Sequence, residues 1–101
     1  MIVSKLPMFR VFLQGENFLI KHQGSAQKFG FFVTRFVEAE SEGEAKERTI
    51  KEVWAELLAK GGTLNSAKDS PRVEVDRIEE MEASERPAED PGFVWYPAEG
   101  S

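Results

Sequence analysis

The chain has 101 residues, 41% of them hydrophobic and 31% charged, with a formal net charge of −5. That is one domain's worth, with enough apolar material for one core and too much for a disordered chain. It holds no cysteine and one histidine, His22, which excludes disulfides, thiolate zinc, iron–sulfur clusters, cysteine nucleophiles and multi-histidine metal sites.

No run approaches 18 apolar residues, so no membrane span is expected. Residues 1–10 lack a long apolar stretch, so no secretory leader is read and the cytoplasm is the expected compartment. The unusual feature is eight phenylalanines beside two tryptophans and one tyrosine. Charge is unevenly placed. Residues 1–37 carry five Lys or Arg against one Glu, and residues 38–101 carry eight against seventeen acids. The simplest reading is that the two parts lie together and neutralise each other.

Residues 8–14 alternate as a strand, with Phe9, Val11 and Leu13 on one face and Met8, Arg10, Phe12 and Gln14 on the other. Gly15-Glu16-Asn17 reads as a bend or bulge, and Phe18-Leu19-Ile20 as a short second strand. Residues 21–28 are polar and read as a loop. Residues 29–39 form the clearest strand. Phe29, Phe31, Val33, Arg35 and Val37 share one face, and Gly30, Phe32, Thr34, Phe36 and Glu38 share the other.

Ser41-Glu42-Gly43-Glu44 fits a capping box opening a helix over residues 42–60. Its buried stripe is expected at Ile50, Val53, Trp54, Leu57 and Leu58, with Gly61-Gly62 as a left-handed stop. Glu47–Lys51 and Glu56–Lys60 have the spacing of helical ion pairs. Residues 63–71 are a loop and 72–79 a strand, in which Ile78 falls out of phase and suggests a bulge or an end. Residues 82–92 read as a flexible linker, and 93–97 as a docking segment, expected as a terminal strand.

This order gives a single α+β domain over residues 1–101. Its two layers are an antiparallel sheet of three to five strands and one long helix on one face. One helix covers one face, yet both faces carry phenylalanine. Leaving a large aromatic exposed forfeits roughly 1.5–3 kcal/mol of burial. The second face is therefore expected to meet residues 93–96, a second copy, a protein partner or a ligand. The candidate interface or ligand residues are Phe12, Phe32, Phe36, Arg10, Arg35, Trp95 and Tyr96. Arg10 and Arg35 lie inside apolar strands, where pairing with Glu74, Asp76 or Glu38 is expected.

Lys28-Phe29-Gly30-Phe31-Phe32-Val33-Thr34-Arg35-Phe36 resembles the RNP1 strand of RNA-recognition-motif domains, whose aromatics stack on bases. It departs from that pattern in two ways. Phe32 is inserted before Val33, and the glycine follows the first aromatic. The strand and helix that precede the family's central hairpin are also missing, and the chain is acidic. The alternative function is accordingly small-ligand or single-stranded nucleic-acid binding through Phe29, Phe31 and Phe32 with Lys28, Arg10 and Arg35.

No residues assemble a nucleophilic triad, a calcium loop or a phosphate loop, so no catalytic residue, metal site or cofactor is assigned. The segments 9–18, 30–39, 73–80 and 92–96 together resemble a group of small uncharacterised bacterial proteins. That resemblance implies no activity and transfers no site. It implies that residues 93–96 belong to the fold. The expected function is a non-enzymatic domain that forms a homodimer or binds a protein partner through an aromatic sheet face.

Overall fold

The computed structural model describes residues 6–98. Lys5 and the ends of the expected 1–101 domain lie outside the described residues. The elements are β1 (Met8–His22), β2 (Ser25–Glu38), α1 (Glu42–Ala59), β3 (Arg72–Met81), a short 3-10 turn (Ala83–Glu85) and β4 (Val94–Pro97). The four strands form one antiparallel sheet in the order β3-β1-β2-β4, with α1 on one face. This is the expected two-layer α+β architecture.

β1 and β2 form one long hairpin, paired from Met8↔Glu38 to His22↔Ser25. The loop expected over residues 21–28 is therefore strand almost throughout. Gln23 (φ 51°) and Gly24 (φ 85°) make the whole connection. Two successive left-handed residues match the twist of the flanking strands. The sequence looked like a loop because the hairpin end is solvated on both faces. Residues 15–20 are likewise not a second strand but β1 continuing through a bulge. Glu16 and Asn17 oppose Gly30 there, and Asn17 takes φ 63°. The phase break at Ile78 is a second bulge, where Asp76 is the extra residue of β3 opposite Phe12–Leu13.

The helix opens as read: the Ser41 hydroxyl accepts the Glu44 backbone N–H at 3.2 Å. The Glu44 carboxylate pairs with Arg48 one turn on, in place of reaching back to Ser41. The end is a Schellman closure. Gly62 N–H donates to Leu57 C=O at 2.9 Å and Gly61 N–H to Leu58 C=O at 3.1 Å, with φ of 70° and 108° at Gly62 and Gly61.

The buried stripe of α1 is Ala45, Thr49, Val53 and Leu57, with Ile50 and Trp54 packed against its flank. Leu58 was expected in this stripe but is 66% exposed. It sits one residue, about 100° of rotation, beyond Leu57. Thr49 takes a core position because its hydroxyl donates to Ala45 C=O at 2.8 Å, so no polar atom is stranded.

The core lies between α1 and the sheet face formed by Phe9, Val11, Leu13, Phe18, Phe31, Val33 and Val37. β1 is 15 residues and α1 18. At standard rises these are about 50 Å and about 27 Å long, so the helix covers roughly half of the hairpin's length. The molecule is correspondingly elongated, at 55 × 26 × 24 Å.

Beyond Arg72, where β3 begins, residues 63–69 take over along β1. Leu64 N–H donates to Leu19 C=O and Leu19 N–H to Asn65 Oδ1, both at 2.8 Å. Asn65 Nδ2 reaches Asn17 C=O at 2.9 Å and Asp69 C=O at 2.7 Å. This loop is thus tied to the β1 bulge.

Residues 82–92, read as a linker, lead from one sheet edge to the other. They contain the 3-10 turn, an Arg86–Asp90 approach at 3.7 Å and a Pro91 carbonyl that accepts from Arg35.

Candidate functional site

The seven candidate residues divide between the two faces of the sheet. Arg10, Phe12, Phe32, Phe36 and Tyr96 lie on the face opposite the helix, but Phe36 is buried there, only 8% exposed, and so offers no surface to a partner. Arg35 and Trp95 lie on the helix face. The register fixes this division: Arg10 opposes Phe36, Gln14 opposes Phe32, Gly30 opposes Tyr96, and Phe31 opposes Trp95. Residues 93–97 therefore cover the second face only where the Tyr96 ring lies over Gly30. They add a strand to the sheet edge, so Val94 and Tyr96 widen the open face while Phe93 and Trp95 join the helix side.

The open face has an aromatic centre and a charged rim. Phe32, 49% exposed, stacks against Tyr96 with centroids 5.2 Å apart and 27° between planes. The Tyr96 ring lies over Gly30, occupying the space a Cβ would need, and Gln14 Nε2 donates to its hydroxyl at 3.3 Å. Val94 stands beside Phe32 and is 63% exposed. A shallow hollow of about 300 Å³ runs between Phe12, Phe32, Thr34, Asp76, Pro91 and Val94. Toward β3 the surface becomes ionic. The Arg77 guanidinium lies 4.4 Å above the Phe12 ring, and Arg10 Nη1 donates to Glu79 Oε1 at 2.8 Å. Val94 and Arg77 were missed as members of this face. The alternation Val94–Tyr96 was visible for the first, while the Asp76 bulge hid the second.

On the helix face the aromatics form a connected cluster. Phe18 packs on Phe31 (5.2 Å), Trp54 (5.6 Å) and Trp95 (6.2 Å), and Phe31 also meets Phe93 and Trp95 at 5.0 Å. Where the hairpin outruns α1, this cluster opens into a groove of about 400 Å³. Its walls are mainly Phe18, Ile20, Phe29, Leu57 and Trp95, with Lys60 and His22 at the rim.

Arg35 is the one charged residue buried in this layer among the described residues. Its Nη2 donates to Glu56 Oε2 at 2.7 Å, and its Nη1 to the carbonyls of Thr34 (3.0 Å) and Pro91 (2.8 Å). Both of its terminal nitrogens are thus engaged by the chain. Neither Arg10 nor Arg35 takes the expected partner. Arg10 pairs with Glu79, because the β3 bulge moves the register, and Arg35 pairs with a helix carboxylate. Glu56 is thereby turned toward Arg35, away from the expected helical pairing with Lys60.

The charge asymmetry is taken up in the same way. The basic hairpin reaches the acidic remainder through Arg10–Glu79, Arg35–Glu56 and Lys28–Asp69 (3.0 Å), and one of its two acids, Glu16, accepts from Arg72 at 2.8 Å. The Asn17 amide N–H (2.8 Å) and the Lys28 ammonium together hold the Asp69 carboxyl below its ordinary pKa.

The alternative constellation is not gathered on one surface. Phe29 and Phe31 face the helix side and Phe32 the open side, while Lys28, Arg10 and Arg35 each hold a carboxylate. His22 is exposed at the end of β1, edge-on to Phe29 at 5.4 Å. Among the described residues no group of three or more His, Asp or Glu side chains converges as a metal site, and no helix is long and apolar enough to cross a membrane.

No protein-family model matches the sequence, and neither a curated protein nor a solved structure is similar to it at a significant level.

Proposed function

We propose that this is a non-enzymatic, cytoplasmic binding domain that self-associates, the open sheet face of one copy taking that of a second. The observation that carries the reading is the exposed aromatic centre on the side without a helix: Phe32 and Val94, backed by Phe12 and Tyr96. The face has an apolar middle and an ion-paired rim, the layout of protein interfaces. It sets the projecting Val94 beside a hollow. A two-fold contact pairs a patch with itself, so a projection and a hollow on the same surface suit each other across the two copies. The paired hairpin cations support a partner recognised by apolar fit in preference to a polyanion.

Two exposed apolar residues on opposite sides provide the test. Phe32→Ser should lower the solution mass to that of one chain, whereas Leu58→Ser, on the helix, should leave the wild-type mass unchanged. Equal masses for wild type and a folded Phe32→Ser variant would contradict the reading.

A further inference from the structure

The groove at the helix end is separate from the open face. We propose that it is a binding site for a small amphiphilic anion: a flat aromatic body carrying one acidic group. The cause of the groove is a length mismatch. α1 ends at Ala59, while the sheet continues to His22. The loop after the helix closes one edge of β1, and Trp95 projects from β4 on the other side. Between them the core face of the hairpin end stays open.

Three features fit such a ligand. The first is size: about 400 Å³ lies within the range of small-molecule pockets, roughly 300–1,000 Å³. The second is the shape of the walls. Phe29 and the 39% exposed Trp95 stand 6.4 Å apart and 88° to each other, beside the buried Phe18. A flat ring can stack on one of them while meeting the edge of another, the arrangement that aromatic quadrupoles favour. The third is charge. No carboxylate lines the groove. The Lys60 ammonium at the rim lies 5.0 Å over the Phe93 ring and makes no ion pair with a described residue. Glu56, its neighbour one turn back, is held by Arg35. A cation at the mouth of an apolar slot, with its helical counter-charge engaged elsewhere, favours an anionic group at that mouth over a neutral or cationic one.

The probe is 1-anilinonaphthalene-8-sulfonate, which has an aromatic body and one sulfonate. The expected result is saturable binding of one probe per chain, with energy transfer from tryptophan. Lys60→Met should weaken the anionic probe about tenfold. The same variant should leave uncharged N-phenyl-1-naphthylamine within about twofold, since no charged hydrogen bond is involved. Ile20→Trp, which fills the slot, should abolish binding of both while far-ultraviolet circular dichroism is retained. If Ile20→Trp fails to fold, Lys60→Met and its contrast between the two probes still decides. Phe32→Ser, on the other face, should change neither. The site is overturned if the anionic probe does not saturate, if Lys60→Met leaves its affinity unchanged, or if Phe32→Ser removes the binding.

Discussion

Gly15 and Phe31 face each other across the hairpin, and the Phe31 ring occupies the space where a Gly15 Cβ would stand. The contact sits one residue before the β1 bulge, at the centre of the aromatic cluster. Phe31 is fully buried there. Gly15→Ala should therefore cost about 1–3 kcal/mol by overpacking. Phe31→Ala should cost about 3–5 kcal/mol by leaving a cavity. The two changes act on the same space, so the double variant should be less destabilised than the sum. Urea unfolding of the four proteins checks this; strict additivity would mean that the ring does not depend on the glycine.

The second close approach, Tyr96 over Gly30, attaches β4 to the sheet. Gly30→Ala should displace the tyrosine and with it Trp95, its neighbour on the opposite face. The expected readout is a red shift and faster acrylamide quenching of tryptophan emission. Trp54 is held on α1 against Phe18 and should contribute little to the change. An unaltered spectrum in a variant of native stability would remove β4 from this position.

Asn65 bonds the Leu19 N–H and the carbonyls of Asn17 and Asp69. Asn65→Ala leaves several partly buried backbone groups unsatisfied and should cost about 1–3 kcal/mol. Hydrogen exchange should accelerate first at Leu19 and Leu64, before the β1–β3 ladder is affected. Uniform acceleration would show that the loop does not unfold separately.

The Asp69 carboxyl is held below its ordinary pKa of 3.8 by the Asn17 amide and the Lys28 ammonium. A carboxyl with a lowered folded-state pKa stabilises the fold above its unfolded-state pKa. That contribution fades as pH falls toward the folded value. Wild type should exceed Asp69→Asn in stability by a constant margin at neutral pH, and the margin should shrink below about pH 4. A margin independent of pH down to the acid limit would contradict the assignment.

Much of the architecture was legible because hydrophobic periodicity survives wherever one face is buried. The two phases of residues 29–37, the Ser41 cap and the Gly61-Gly62 stop all appear where the pattern places them. What was hidden depended on tertiary context. A polar hairpin end looks like a loop, since only pairing across the chain distinguishes the two. Thr49 falls outside the expected stripe, and its helical back-bond lets a polar residue sit in the core. The partners of Arg10 and Arg35 lay beyond reach for a related reason. A single inserted residue, Asp76, sets which acid of β3 meets Arg10, and the packing of α1 on the sheet sets which meets Arg35. The open face itself was readable as Phe12 and Phe32 in one phase, though Phe36, in the same phase, is buried. The groove was not, because it arises from the unequal lengths of hairpin and helix.

The central claim is that the open face meets a second copy, and the mass in solution tests it most directly. Sedimentation equilibrium should be run from about 1 to about 100 µM, since assembly follows protomer concentration. The account predicts a species of about 23 kDa, twice the 11.4 kDa chain, which dissociates on dilution or on Phe32→Ser substitution. A single 11.4 kDa species across the whole range would contradict it.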